Sequence, residues 1–148
     1  MNILIRLLIN LLKMIRPSIP ADPGRVRIGA SSNFAPGELV EVDVNGASVV
    51  VARSGGSICA VENRCPHLGA PLDGGTVRDG VVTCPLHNST FDMCTGNNLD
   101  WVTGMAGLDV PRWSQRLISM GQEPQGVRAY RVSEEGENVY IDVAVESE

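Results

Sequence analysis

From residue 26 onward, apolar and polar positions alternate with a period of two, which is typical of half-buried β-strands. Four such runs follow one another, at residues 26–28, 39–44, 48–52 and 58–61. Asn45-Gly46 and Ser54-Gly55-Gly56 separate the later runs, and these residues favour tight hairpin turns. The pattern therefore predicts an antiparallel meander in this part of the chain.

The same period returns later in the chain. Residues 74–83 contain two short apolar runs around Asp79-Gly80, and residues 89–92 fit one further strand. Residues 127–132 and 138–143 flank an acidic turn and predict a C-terminal hairpin. The fold class predicted from these runs is all-β, built of small antiparallel sheets.

A stretch of about thirty residues, roughly 97–126, interrupts the strand pattern and holds both tryptophans. Within it, residues 111–120 fit a short helix, because Pro111 suits a first helical position and Gly121 suits a stop. Trp113, Leu117 and Met120 then fall on one face. This face predicts either a lid that packs on the domain or a docking surface for a partner protein.

The first sixteen residues are strongly apolar and stop at Pro17. On a helix, their polar residues share one stripe of about 120°; they are Asn2, Arg6, Asn10, Lys13 and Arg16. The segment is shorter than the roughly 20 apolar residues of a membrane span. It predicts an amphipathic helix that lies on a membrane surface, or one that docks on a protein or on a second copy. Residues 17–24 are proline-rich and predict a linker.

Length and charge narrow the classes of function. The chain has 148 residues, 43% of them hydrophobic, and this is enough for one domain over residues 25–148 but not for a second catalytic domain. The net charge is −5. Residues 1–16 carry three basic side chains and no acidic one, so the remainder is strongly acidic. An acidic body argues against nucleic acid as a partner.

Two short stretches hold both histidines and two of the four cysteines. Cys65 and His67 form a C-x-H motif, and after sixteen residues Cys84 and His87 form a C-x-x-H motif. Four such ligands can hold tetrahedral zinc, although zinc sites usually pair cysteine with cysteine and histidine with histidine on each element. One cysteine and one histidine from each loop suit a two-iron cluster whose irons differ in their ligands.

These stretches resemble the Rieske [2Fe-2S] domain family. The resemblance extends to Gly69-Ala70-Pro71-Leu72 after the first motif and to Phe91-Asp92 and Thr95-Gly96 after the second. It implies a base domain and a cluster-binding subdomain at about residues 63–96. It also implies that Cys65 and Cys84 bind a buried iron of the [2Fe-2S] cluster, and that His67 and His87 bind the iron nearer the surface.

The chain departs from the respiratory members of this family, which have an additional cysteine in each loop and a disulfide between them. The corresponding residues here are Ala70 and Leu86. The remaining cysteines, Cys59 and Cys94, are expected to be unpaired, one in a strand and one in a turn, as in a reducing, cytosol-facing compartment. The chain thus resembles a small Rieske-type ferredoxin without the loop-bridging disulfide.

Residues near the second motif indicate the redox potential. The resemblance implies that Ser89 donates a hydrogen bond to a cluster sulfur, whereas Phe91 stands where high-potential members have a tyrosine. With one hydroxyl of two, the predicted potential is low to intermediate, below that of a quinol-oxidising subunit. Asn88 replaces the usual glycine after the second histidine, which leaves the geometry of this loop open.

The histidine count limits the chemistry. A Rieske oxygenase needs further histidines for a mononuclear iron, and both histidines here are assigned to the cluster. The predicted function is one-electron transfer between a reductase and an acceptor enzyme, as an electron-transfer component at the cytoplasmic membrane face. Alternatives are a fixed Rieske subunit of a membrane redox complex and a non-catalytic small subunit of the nitrite-reductase type.

Overall fold

The computed structural model describes residues 3–6, 8 and 24–143. Over residues 24–143 it contains thirteen β-strands and one α-helix. The strands are β1 (Arg25–Ala30), β2 (Val40–Val44), β3 (Ala47–Ser54), β4 (Ser57–Glu62), β5 (Thr76–Arg78), β6 (Val81–Thr83), β7 (Thr90–Asp92), β8 (Asn98–Asp100), β9 (Gly104–Met105), β10 (Leu108–Asp109), β11 (Ala129–Tyr130), β12 (Val132–Glu135) and β13 (Asn138–Asp142). The helix, α1, spans Arg112–Ile118.

The strands form small antiparallel sheets, which confirms the predicted fold class. One sheet has the order β11-β4-β3-β2, and a second has the order β1-β13-β12. A third sheet, β5-β6-β7-β8, follows the chain order and carries the second candidate ligand loop between β6 and β7. The hairpin β9-β10 lies in the stretch predicted as an insertion. Domain boundaries at residues 63 and 97 stay a prediction.

Strands β3 and β4 are buried on both faces, and for this reason β3 reads as a continuous apolar run over residues 49–52 instead of an alternation. Val49, Val51, Ile58 and Ala60 point into one core cluster, which they share with Val139 and Ile141 of β13. The intervening residues of both strands point into a second core cluster on the opposite face. The β3 and β4 pair therefore forms the centre of the molecule.

The second core cluster joins the β3 and β4 pair to the β5-β8 sheet. Its members include both cysteines of the candidate ligand set, so the loops that carry them rest directly on the core. The buried residues of this cluster are Val50, Ala52, Cys59, Val61, Cys65, Leu72, Val77, Val82, Cys84, Phe91 and Met93.

Two predicted hairpin turns have the backbone that their sequences favour. Asn45 and Gly46 have φ of 52° and 88°, and Asp79 and Gly80 have φ of 50° and 75°. Positive φ at both central residues is the geometry in which asparagine, aspartate and glycine are best tolerated. The turns bring β2 against β3 and β5 against β6 in register.

The structure describes only part of the predicted N-terminal helix. Residues 3–6 and 8 are helical, and Ile3, Ile5 and Leu8 are exposed. The rest of the segment, and all of the predicted linker except Gly24, lie outside the described residues. Within the described part of the chain, no helix is both long enough and apolar enough to cross a membrane.

Helix α1 lies within the stretch predicted to be helical, but its apolar face does not pack on the domain. Trp113 is 74% exposed, and Leu117 and Met120 are exposed as well. The interpretation of this face as a lid packed on the domain is therefore wrong. The first part of the predicted insertion over residues 97–126, near Trp101 and Val102, is the part that contacts the domain.

The expectation that Cys59 and Cys94 are unpaired is wrong, because the two form a disulfide. The prediction of a chain without a loop-bridging disulfide is therefore not supported. The bond joins β4 to the turn after β7, and it does not involve residues 70 and 86. The argument for a reducing compartment from free cysteines fails with it. All four candidate ligands lie within the segment that the bond closes.

The turn that holds Cys94 is fixed by a carboxylate. The backbone N–H groups of Cys94 and Thr95 both donate to Asp92 Oδ1 at 2.8 Å. Hydrogen bonds from Thr95 and Cys94 hold the pKa of the Asp92 carboxyl below its usual value, because they stabilise its charged form. Cys94 is thus held at the place where it meets Cys59.

Replacing Cys94 by alanine tests the role of the disulfide in stability. The bond spans 35 residues of sequence, and closing a loop of this size restricts the unfolded chain. We expect Cys94→Ala to lower the free energy of unfolding by about 2–4 kcal/mol, measured by denaturant titration. Because Cys94 is exposed, the substitution leaves no cavity. Dithiothreitol should lower the free energy of unfolding of the original chain by the same amount and leave that of the variant unchanged. An equal effect of dithiothreitol on both proteins would contradict this role.

Candidate metal centre

The two candidate ligand loops have the same backbone shape. The N–H of Cys65 donates to the carbonyl of Ala70, and the N–H of Cys84 donates to the carbonyl of Ser89, both at 2.8 Å. Each loop is therefore closed between its cysteine and the residue five positions later. Four residues after each cysteine the backbone has positive φ, 78° at Gly69 and 60° at Asn88. Asparagine tolerates this region, so Asn88 preserves the loop geometry.

The loops bring the two cysteines together. The Cys65 and Cys84 thiols are buried and hydrogen-bond to each other. The hydrogen bond from Cys65 lowers the pKa of Cys84 to about 6. The same hydrogen bond raises the pKa of Cys65, and burial raises it by a smaller amount. The two thiols are therefore close enough for the ionisation of one to affect the other.

Backbone N–H groups also point at both sulfur atoms. Cys65 receives those of His67 and Leu68, and Cys84 receives those of Leu86 and His87; all four lower the pKa of the thiol that they contact. Donors aimed at a sulfur stabilise its thiolate form, which is the form that binds a metal. The pattern is the same in both loops.

The two histidines form a second pair. Their Nδ1 atoms lie 3.0 Å apart, and the ring planes are inclined by 73°. Burial, with a smaller contribution from the nearby His67, lowers the pKa of His87. A neutral imidazole whose Nδ1 faces a common point with a second one is the form required of a metal ligand.

The donors are arranged as a thiol pair and an imidazole pair. In the part of the chain that the structure describes, no three histidine, cysteine, aspartate or glutamate side chains gather closely enough to hold one metal ion. A tetrahedral zinc site needs four ligands around a single point. Two separate pairs, one of sulfur and one of nitrogen, fit two irons with different ligands. The residues present therefore fit a [2Fe-2S] group better than zinc.

The two histidines expected to bind the iron nearer the surface differ in exposure. His67 is only 3% exposed, whereas His87 is half-buried. The Trp101 ring packs edge-on against His67, with 5.6 Å between ring centroids. His67 Nε2 and Trp101 Nε1 are buried, and neither has a hydrogen-bond partner among the described residues.

The second loop is held by the hairpin of residues 104–109. The N–H of Gly104 donates to the His87 carbonyl and that of Ala106 to the Leu86 carbonyl, at 3.2 and 2.7 Å. The Asn88 side chain accepts from the Gly107 N–H at 3.1 Å and donates to the Leu108 carbonyl at 3.4 Å. Residues from the predicted insertion therefore fix the loop that carries His87.

The first loop is tied to the central sheet by Asn63. Its side-chain nitrogen donates to Ser48 Oγ and to Asp73 Oδ1, both at 3.1 Å, and its side-chain oxygen accepts from the Asp73 N–H at 2.9 Å. Asn63 is buried and lies two residues before Cys65. These bonds hold the beginning and the end of the first loop against β3.

Ser89 and Phe91 are both fully buried behind the second loop. Ser89 Oγ accepts a hydrogen bond from the Val102 N–H at 3.0 Å. A hydroxyl that accepts one bond still has its own hydrogen to donate. Phe91 has no polar atom, so only one of the two positions named from the resemblance carries a hydroxyl.

The structure also identifies site residues that sequence reasoning did not select. Trp101 and the 104–109 hairpin are distant from the motifs in sequence, and no spacing rule predicts their contact with the loops. For the disulfide a signal existed, because two cysteines remained after the ligands were assigned. The turn position of Cys94 gave no indication of its partner.

Comparison with known proteins supports this interpretation of the site. The model of the Rieske [2Fe-2S] domain family matches residues 24–111. The chain is 38% identical over 63 residues to the ferredoxin component of the naphthalene 1,2-dioxygenase/salicylate 5-hydroxylase systems of Ralstonia sp, an alignment of 43% of this chain and 61% of that protein. It is 35% identical over 65 residues to mouse apoptosis-inducing factor 3, an alignment of 44% of this chain and 11% of that protein.

A solved structure resembles the whole fold. The ferredoxin of carbazole 1,9a-dioxygenase from Nocardioides aromaticivorans superimposes with a TM-score of 0.61 at 29% identity, covering 80% of this chain and 97% of that one. The matched part of the chain spans 11% and 61% of the lengths of the two sequence relatives.

Asn88 offers a test of how the hairpin holds the second loop. We expect Asn88→Gly, which keeps the left-handed backbone but removes two hydrogen bonds, to destabilise the 104–109 hairpin by about 1–2 kcal/mol. Asn88→Ala should cost about 1 kcal/mol more, because alanine disfavours positive φ. Hydrogen exchange of the Gly104 and Ala106 amides measures the effect.

The control is Asn45→Gly, at a turn residue with similar φ between β2 and β3. It should leave exchange in the hairpin unchanged. Equal protection of the hairpin amides in Asn88→Gly and in the original chain would show that the side chain does not hold it.

Proposed function

Because the chain belongs to the Rieske [2Fe-2S] domain family, we propose that it is a one-electron carrier between a reductase and an acceptor enzyme. When bound, the [2Fe-2S] group supplies storage for a single electron. The observation that carries the proposal is the sorting of the four donors into a buried thiol pair and an imidazole pair on two loops of equal shape.

The roles of the site residues follow from their positions. Cys65 and Cys84 would hold one iron, and His67 and His87, whose Nδ1 atoms face each other, would hold the other. Backbone N–H groups stabilise the two thiolates, and burial lowers the pKa of His87, which favours the neutral form of its ring. Ser89 donates its hydroxyl hydrogen toward the cluster while it accepts the Val102 N–H. Two neutral ligands in place of two thiolates make the group easier to reduce.

The partners are proposed from the relatives. The ferredoxin components of two aromatic dioxygenase systems are among the proteins that this chain resembles. The acceptor proposed here is therefore the terminal oxygenase of such a system, and the donor is its reductase. Ala70 and Leu86 stand where the respiratory members have the bridging cysteines, and the disulfide of this chain joins Cys59 and Cys94 instead.

Attachment through residues 1–16 is part of the proposal. The exposed Ile3, Ile5 and Leu8 and the basic residues of this segment support contact with a membrane surface or a protein. We propose a cytoplasmic location for the carrier. There the Cys59–Cys94 disulfide, exposed at Cys94, faces a reducing thiol pool.

A fixed Rieske subunit of a membrane redox complex is the second candidate. The exposed apolar residues near the N-terminus favour it. Phe91 disfavours it, because a quinol-oxidising subunit needs a high potential and the phenyl ring donates no hydrogen bond. The intact donor set disfavours a non-catalytic subunit of the nitrite-reductase type. The redox potential separates the first two candidates.

Absorption and EPR spectra of the purified protein test the assignment of the metal. We expect the spectrum of a [2Fe-2S] cluster with mixed ligands, with two irons and two sulfides for each chain. His67→Ala and His87→Ala should each abolish it, because each removes a ligand. Trp113→Ala, at an exposed residue, is the control and should keep it. A colourless protein that contains one zinc would refute the cluster.

A redox titration tests the potential and the role of Ser89. We expect a midpoint potential below roughly +250 mV. Ser89→Ala should lower it further by roughly 60 mV, which for one electron corresponds to about 1.4 kcal/mol, the order of a hydrogen bond to a charged group. A midpoint above the limit would favour the quinol-oxidising subunit.

The control for this titration is Thr103→Val. It removes a contact between the Thr103 hydroxyl and the Asn88 carbonyl and leaves Ser89 in place. Its potential should equal that of the original chain. If Ser89→Ala and Thr103→Val shift the midpoint potential equally, the position of the loop sets the potential, and the Ser89 hydroxyl does not.

A further inference from the structure

We propose that Trp101 closes the His67 side of the cluster, so that electrons enter and leave the protein through the edge of His87 alone. The inference rests on the proposed function and adds an exit route to it. It makes Trp101 a positioning residue, which acts by covering one of the two imidazole ligands.

The burial of His67 is the first step of the argument. Its ring is 3% exposed, and the Trp101 ring lies edge-on to it. With Nδ1 facing His87, the remaining nitrogen is Nε2. That atom is buried and has no hydrogen-bond partner among the described residues. No partner protein can therefore approach the outer edge of this imidazole without displacing Trp101.

Trp101 is held in place by its neighbours along the chain. Val102, the next residue, is fully buried, and its N–H donates to Ser89 Oγ at 3.0 Å. The ring of Trp101 also packs against the core cluster that contains Cys65 and Cys84. These contacts hold the Trp101 ring against His67.

His87 is the remaining route. The residue is half-buried, so part of it is accessible to solvent. Exposed apolar side chains occupy its own loop and the hairpin bonded to that loop: Leu86, Met105 and Leu108. An apolar rim around a partly exposed imidazole suits contact with an iron protein that accepts one electron. The transfer oxidises the cluster by one electron and reduces the acceptor by one, with no bond made or broken.

Chemical modification of the cluster-loaded protein tests the accessibility of each histidine. Diethylpyrocarbonate acylates an accessible imidazole nitrogen, and mass spectrometry of peptides identifies the modified residue. In the original chain we expect modification of His87 and protection of His67. Trp101→Ala should expose His67, and Trp101→Phe, which keeps a covering ring, should restore most of the protection. Trp113→Ala, which removes the other, exposed tryptophan, should behave as the original chain.

The absorption spectrum of each variant is recorded first, so that failure of this proposal and failure of the proposed function are distinguishable. Absence of a cluster spectrum in the original chain would refute the proposed function. With the spectrum present, equal modification of His67 and His87 in the original chain would refute the exit route. Protection of His67 in a Trp101→Ala variant that keeps its spectrum would show that Trp101 is not the cover. If Trp101→Ala loses the cluster, Trp101→Phe and the original chain still decide the question.

A matched pair of substitutions tests the route of the electron itself. Leu68 and Leu86 follow and precede His67 and His87, and are 49% and 44% exposed. Stopped-flow mixing of the reduced protein with oxidised cytochrome c measures the transfer rate. We expect Leu86→Glu to change the rate by about tenfold and Leu68→Glu, which adds the same charge, to change it far less. Equal effects of the two substitutions would overturn the assignment of His87 as the exit.

Discussion

Burial of both faces of the β3 and β4 pair holds the two halves of the molecule together. Alternate residues of these strands belong to different core clusters, so each cluster is completed by a separate sheet. The cluster that faces the site contains Cys65 and Cys84 themselves. The two cysteine ligands are therefore part of the hydrophobic core, and the loops keep their shape because the packed core tolerates few alternatives.

Local features of the sequence predicted the strands, the turns and the ligand motifs. The hairpins depend on neighbouring residues such as Asn45-Gly46 and Asp79-Gly80, whose backbone preferences are intrinsic. The spacing of the four donors likewise lies within two short stretches. The equivalence of Gly69 and Asn88 in backbone conformation follows from a local preference as well, although it became clear only from the structure.

Long-range contacts were the features that sequence reasoning did not find. The disulfide between Cys59 and Cys94 and the packing of Trp101 on His67 join residues about 35 positions apart. No periodic pattern encodes such a meeting, because it depends on how the sheets stack. The apolar face of α1 is exposed, although its amphipathic pattern was equally compatible with packing on the domain. A local pattern predicts the helix but does not decide whether its apolar face is buried.

The four cysteines of this protein end in two different chemical states, because one pair forms a disulfide and the other pair stays as thiols. Cys59 is paired with Cys94, whereas Cys65 and Cys84, the proposed iron ligands, are free thiols, yet Cys59, Cys65 and Cys84 share one core cluster. The two ligand thiols already contact each other through a hydrogen bond. Delivery of iron and sulfide before oxidation removes that pair from competition. A cluster held by Cys65 and Cys84 would leave Cys59 and Cys94 as the two thiols that are free to pair.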